Sequence, residues 1–253
     1  MCGKASVHIK WKDVYAWASS LTPPGSLPED PEPRVNVSPS RLRRKSEPES
    51  MEWESLPVVY HRDGLDRPAQ AIWPFIPHWA ENQLPRTREG KLLSTANARL
   101  RTQGAPFAPT FMAAWKRGRR VVVFVSWFYE FDARVRPQVP YAVFPLDQPF
   151  WALAGLASAF THPDGQRRLS IAIITVDPNR VLQSVGHHRS PAILRDPMEV
   201  NAWLHGDSRQ ALELLRPYPD ESMGVEAVDM GIKIPGNQSV SMPPALSRTQ
   251  GDS

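Results

Sequence analysis

Cysteine occurs once in this chain, as Cys2, where removal of Met1 would make it the new amino terminus. A terminal cysteine is a 1,2-aminothiol. Its α-amino group titrates at about 7.7–8.0 and its thiol at about 8.5, so both nucleophiles are available near neutral pH on one residue. The matching electrophile is an aldehyde: the amine condenses to a Schiff base, the sulfur closes on the same carbon, and a five-membered thiazolidine results. Neither an internal cysteine nor a terminal serine can form that ring. A small residue after Met1 also suits ordinary amino-terminal processing, so the dipeptide alone leaves both readings open.

Glu130 is a second candidate, because Ser126-Trp127-Phe128-Tyr129-Glu130-Phe131 places one carboxylate among four aromatic side chains. Burial disfavours the charged form of a carboxyl group, and such a glutamate can carry a proton as general acid or base; at an exposed strand end it would be a surface charge only. Gly186-His187-His188-Arg189-Ser190-Pro191 brings two histidines and an arginine before a rigid proline. Paired histidines can bind metal, but no other Cys or His cluster is visible to complete a site, and neither metal nor other cofactor is expected. Trp73-Pro74-Phe75-Ile76-Pro77-His78-Trp79 is too rich in proline for a helix and too aromatic for a plain loop. It is either core or a shelf on which bases stack.

The elements that must position these residues are mostly strands. Short strands are predicted at 56–60 and 70–73, pairing antiparallel around Asp63-Gly64, then at 121–125, 141–144, 150–156 and 169–175. Val121 to Val125 has the unbroken apolar character of a fully buried strand. Thr95 to Arg99 reads as a loop entering a short helix, and helices are predicted near 111–115, 180–185, 200–204 and 209–215, with Asp196-Pro197 as a start signal. Arg41, Arg43, Arg44 and Lys45 form a basic run answered at once by acidic residues, the pattern of a solvated loop.

With 253 residues and 41% hydrophobic content the chain can bury a sizeable core. The expectation is one α+β domain over 1–230, with a β-rich, mainly antiparallel core and short peripheral helices, followed by a flexible tail over 231–253. Lys and Arg number 30 against 26 Asp and Glu, and the excess of Arg favours a phosphate-bearing partner. One cysteine excludes an internal disulfide framework, and no opening segment resembles a signal peptide or membrane span, so a reduced, cytoplasmic protein is expected.

Met1-Cys2-Gly3, Asn36-Val37-Ser38-Pro39, Trp73 to Trp79, Asn97-Ala98-Arg99, Phe128-Tyr129-Glu130 and His187-His188-Arg189-Ser190-Pro191 stand in an order that resembles the SRAP proteins, the SOS response-associated peptidases also described as abasic site processing proteins. The resemblance spans about residues 1–230. It implies a monomer that binds single-stranded DNA and single-strand/double-strand junctions, associated with the nucleoid through DNA, with an abasic site as its ligand. It implies four catalytic residues: Cys2 forms the thiazolidine with the ring-opened deoxyribose, Asn97 orients the terminal residue and sugar, Glu130 shuttles protons, and His187 assists proton transfer and reversal. It further implies that Arg99 and Arg189 hold phosphates, and that Pro39, Trp73 and Ile76 pack against the bases beside the lesion.

Several positions depart from the family pattern. Lys4 replaces the usual Arg, Arg101 stands where an acidic residue commonly follows, Ser126-Trp127 replaces Asp-Gly, and His188 replaces the Asp of His-Asp-Arg. These changes leave open how the turn before Phe128 is built and how His187 is held. Three functions follow from the sequence: crosslinking to abasic DNA, with lyase activity at the same site; peptide or amide hydrolysis by an N-terminal nucleophile, including self-processing; and DNA binding in which Cys2 merely packs.

Overall fold

The computed structural model describes residues 3–42, 51–80, 84–132 and 134–228, with backbone only at 41–42 and 51–52. Its elements run in chain order β1 (Lys4–Val7), α1 (Trp11–Trp17), β2 (Arg34–Val37), β3 (Arg41–Leu42), β4 (Met51–Glu52), β5 (Glu54–Arg62), β6 (Leu65–Trp73), β7 (Asn97–Arg99), α2 (Pro109–Lys116), β8 (Arg120–Val125), β9 (Trp127–Asp132) and β10 (Val139–Pro145). The second half continues β11 (Trp151–Thr161), β12 (Arg167–Val176), α3 (Arg180–Ser184), β13 (Ser190–Pro191), β14 (Ile193–Leu194), α4 (Pro197–His205), α5 (Ser208–Glu213) and β15 (Met223–Ala227). The larger part of the basic run at 41–45 and the tail at 231–253 lie outside the described residues.

Five strands close on themselves. β5 and β6 form a hairpin from Glu54↔Trp73 to Arg62↔Leu65, joined by Asp63 and Gly64 at φ values of 53° and 74°. Positive φ at both central residues is the turn whose twist matches paired strands. β5 pairs with β8, β8 with β11 and β11 with β12, all antiparallel. β12 meets β6 again in parallel at Ser170↔Ile72. Ile76 closes this short seam by donating its backbone N–H to Ser170 Oγ at 2.8 Å. The unbroken apolar run of β8 is explained by this position, for the strand is buried from Arg120 to Val125. Its flanks face both the interior and the cover supplied by α4, where Trp203 Nε1 donates to the Val121 carbonyl at 2.9 Å.

The second sheet has the order β15-β10-β9-β1-β2. β1 is an interior strand: Lys4, Ala5 and Ser6 pair with Tyr129, Phe128 and Trp127 on one side, and Ala5 and Val7 pair with Val37 and Arg34 on the other. The register slips by one residue along β2, where Asn36 takes the left-handed conformation at φ 59°. An extra residue in such a conformation bends a strand and re-aims its neighbours.

The architecture is a single compact α+β domain with a sheet-rich core and short helices. One element differs from expectation. Residues 97–99 form no helix start but a strand, because β7 takes over from β6 along the same edge of β12, pairing Asn97, Ala98 and Arg99 with Ile173, Ile174 and Thr175. A parallel partner more than seventy residues away decides the conformation, and no local signal encodes it.

Candidate functional site

Successive side chains of a strand point to opposite faces, so Phe128, Glu130 and Asp132 share one face of β9 while Trp127, Tyr129 and Phe131 share the other. Phe128 joins the main core, and the outer three aromatics pack in a separate cluster. Glu130 therefore faces inward and is 2% exposed. Its Oε2 lies 2.7 Å from His187 Nε2. The other imidazole nitrogen, Nδ1, lies 2.8 Å from the Arg189 carbonyl oxygen. A carbonyl can only accept, so Nδ1 carries a hydrogen, and the Glu130–His187 contact holds one further proton that sits on either oxygen or nitrogen. The pair is a one-proton store.

His187 is held from behind. α3 begins at Asn179, whose side chain accepts from Leu182 N and donates to the Tyr218 carbonyl. After the helix, His187 N donates back to the Leu182 carbonyl at 2.9 Å. Gly186 makes that turn with φ at 76°, and a Cβ built there would stand 2.5 Å from Asp132 Oδ1 and 2.6 Å from Arg134 Nε. Only glycine lets the loop press this close to β9. Hydrogen bonds from the side chain and backbone of Arg134 hold the Asp132 carboxyl well below the ordinary range, at about 2. The residue at the position of the usual Asp, His188, is exposed and stacks on His187 with centroids 5.5 Å apart. Desolvation and the neighbouring charges of His187, Arg99 and Arg189 lower its pKa. The other departures are also accommodated: Ser126 N donates to the Ser6 carbonyl, Ser126 Oγ accepts from His8 N, and Lys4 Nζ lies 5.8 Å from the Phe131 ring.

The structure connects the remaining residues through backbone. Asn97 is half-buried and Arg99 exposed on β7, whose register places Arg99 opposite Thr175. Arg189 donates to the Thr175 and Leu100 carbonyls and pairs with Asp177 at 2.6 Å. The Arg189 carbonyl in turn receives His187, so β7, β12, the His187 loop and β9 form one bonded series. Arg189 is itself only 4% exposed, with burial and then the Arg99 charge lowering its pKa. Its guanidinium fork serves the Thr175 and Leu100 carbonyls and Asp177 in this structure. Sequence alone could not separate this arginine from Arg99, which is exposed.

The aromatic shelf divides. Trp73 and Ile76 are fully buried, and Trp73 Nε1 donates to the Ala96 carbonyl at 2.9 Å, so both are core and present no face to a base in this structure. Trp79, 49% exposed, is the open end of the same stretch. Pro39 is half-buried beside Ser40, whose hydroxyl donates to the Trp73 carbonyl. Two hollows of 440 and 480 Å³ share Arg117, Arg119 and Arg167 in their lining, and the second reaches Pro77 and His78. Nothing local in the sequence marks this gathering of arginines from separate strands and turns. Cys2 lies outside the described residues; β1 begins two positions later.

Sheet, barrel and pair together define a class: an α+β domain in which the strand nearest the amino terminus is hydrogen-bonded to the strand that carries a buried carboxylate in contact with an imidazole. The chain belongs to the SOS response associated peptidase (SRAP) family, whose model matches residues 1–234. It is 24% identical over 245 residues to the abasic site processing protein YoqW of Bacillus subtilis (strain 168), covering 94% of this chain and 97% of that one. It is 26% identical to the abasic site processing protein HMCES of Rattus norvegicus, over 86% of this chain and 69% of its relative. A crystal structure of a protein from Bordetella bronchiseptica shares the fold with a TM-score of 0.66 at 20% identity, over 90% of this chain and all of that one. Among the described residues no helix is long and apolar enough to cross a membrane.

Proposed function

We propose that this protein processes abasic sites in DNA, and that it does so by joining Cys2, after loss of Met1, to the ring-opened deoxyribose. The observation that carries the reading is the one-proton pair of Glu130 and His187 on a strand bonded to β1. The names of the relatives YoqW and HMCES supply the lesion. In this mechanism the free α-amine of Cys2 adds to the C1′ aldehyde carbon. The pair delivers its proton to the resulting hydroxyl, which leaves as water and gives the Schiff base. The thiol sulfur then adds to the same carbon while its proton passes to the ring nitrogen, and the sum is aldehyde plus aminothiol to thiazolidine plus water. The pair recovers its proton from the nitrogen, which began with two hydrogens, passed one to the carbonyl oxygen as the hydroxyl formed, and gained one from sulfur. Asn97 orients the terminus and sugar, and Arg99 meets a phosphate as an exposed guanidinium should.

The ligand in this reading is single-stranded DNA or a single-strand/double-strand junction, bound by a monomer, with Pro39 beside the lesion. Trp79 offers the stacking face that buried Trp73 and Ile76 do not. A hydrolase could use the same pair on an amide, as the family description suggests. Denaturing electrophoresis with an oligonucleotide containing one abasic site separates the two. Wild-type protein should give a heat-stable adduct, and Cys2→Ala should give only a Schiff base that needs borohydride for trapping. A heat-stable adduct from Cys2→Ala without reductant sinks the thiazolidine, because the chain has no other thiol.

A further inference from the structure

A second histidine–carboxylate cluster stands apart from Glu130 and His187, at the tip of the β5–β6 hairpin. His61 and Asp66 are cross-strand partners there, and His205 reaches them from the last turn of α4. Their donor atoms converge. His61 Nδ1 lies 2.9 Å from Asp66 Oδ1, His205 Nε2 lies 2.8 Å from the same oxygen, and the two ring nitrogens are 3.0 Å apart. The rings are near perpendicular at 83°, which aims both nitrogens at one point rather than stacking them.

With Asp66 ionised, protons cannot satisfy this triangle. His205 Nδ1 lies 3.0 Å from the Asn201 carbonyl, so it carries hydrogen, and neutral His205 presents a bare lone pair at Nε2. If only His61 Nδ1 is protonated, it can donate toward Asp66 or His205, and the 2.8 Å contact between Nε2 and Oδ1 sets two lone pairs face to face. If His205 is protonated as well, both nitrogens donate to Asp66, and their own 3.0 Å contact sets two N–H groups against each other. One cation at the centre, accepted by three lone pairs, removes the conflict in every contact. The surroundings are those of a ligand set. The Asn201 carbonyl orients His205 through its far nitrogen, and Thr22 N donates to Asp66 Oδ2 at 2.8 Å, fixing the carboxylate. Asp66 is 1% exposed, whereas the side chains of His61 and His205 are 38% and 29% exposed and leave an entry path.

We propose that His61, Asp66 and His205 bind one divalent cation of the zinc class, clamping the β5–β6 hairpin to the end of α4. Two imidazoles and one carboxylate are a zinc donor set, and three protein ligands leave a fourth position for water. Zinc holds such donors at about 2.0–2.2 Å, so tetrahedral neighbours stand about 3.3 Å apart. The part-exposed imidazoles need to part by only a few tenths of an ångström.

The test uses the full chain, treated with chelator and titrated calorimetrically with zinc chloride, in wild-type form and as Cys2→Ser so that the thiol makes no contribution. One equivalent should bind saturably to both forms, and the melting temperature should rise with zinc, since a ligand of the native state stabilises it by mass action. His61→Gln and His205→Gln, both at part-exposed positions, should each weaken binding by more than about 10-fold, as losses of metal ligands or their supports do. The proposal is overturned if Cys2→Ser takes up no stoichiometric zinc, if zinc leaves the melting temperature of that chain unmoved, or if both glutamine variants bind as tightly as their parent.

Discussion

Among the described residues two buried carboxylates, Glu130 and Asp66, meet imidazole, and their sites differ in how many lone pairs meet. At Glu130 and His187 two atoms face each other at 2.7 Å, one proton serves both, and the Arg189 carbonyl fixes the tautomer. At His61, Asp66 and His205 three atoms face one another, and with the carboxylate ionised no placement of protons serves all three contacts. In the readings proposed above, the same residue types give a proton carrier where two atoms meet and a cation trap where three do. Burial sharpens the contrast: the Glu130 and His187 side chains are 2% and 11% exposed, so the pair is shielded except toward whatever enters the site.

The largest expected effect sets one site against the other. Glu130→Gln should slow formation of the abasic-DNA adduct by about 10²–10⁴-fold, the usual contribution of a general acid-base group, while His61→Gln leaves that rate unchanged. Single-turnover electrophoresis measures both, and equal slowing by the two variants would erase the distinction drawn here.

A smaller effect concerns what holds His187. Arg189→Ala removes the donor from the Thr175 and Leu100 carbonyls, and should cost about 1–3 kcal/mol of stability in urea unfolding. Arg99→Ala should leave the urea midpoint in place and instead reduce the salt dependence of single-strand binding by a slope of about 0.7, one phosphate's worth. The reverse pattern would mean that Arg189 is the phosphate ligand after all.

The smallest effect comes from a third imidazole environment, one without any carboxylate. His8 stacks on Trp127 with centroids 5.1 Å apart, and both its ring nitrogens are buried without a hydrogen-bond partner among the described residues. Burial lowers its pKa from 6.5. The native state therefore resists the proton that the unfolded chain accepts, so this contribution is complete above about pH 6.5 and declines as pH falls below it. Urea midpoints at pH 7.5 and 5.5 should drop less for His8→Phe than for wild type; identical drops would remove His8 as the cause.

Much of the fold was legible because its signals are local. The valine run of β8, the hairpin around Asp63-Gly64 and the aromatic setting of Glu130 all lie within a few residues. What escaped depends on partners distant in sequence. Asn97 to Arg99 become a strand only because β12 offers an edge, and Trp73 and Trp79 share one composition yet end at 0% and 49% exposure. The cluster of His61, Asp66 and His205 joins residues separated by 139 and 144 positions, so reading histidines by proximity in the chain passed over it. Cys2, Asn97, Glu130 and His187 are singled out through the order of motifs, which carries long-range information that periodicity lacks.

β1 is made before the other described strands and is yet an interior one, needing Trp127 to Tyr129 on one flank and Arg34 to Val37 on the other. Elongation at 5–20 residues per second separates the synthesis of Lys4 from that of His187 by roughly 10–40 s. For the earlier part of that interval the amino-terminal segment lacks its strand partner on β9, and for all of it the contact of Glu130 with His187. A nascent chain therefore emerges without a working site, and competence arrives as a late event in its biogenesis.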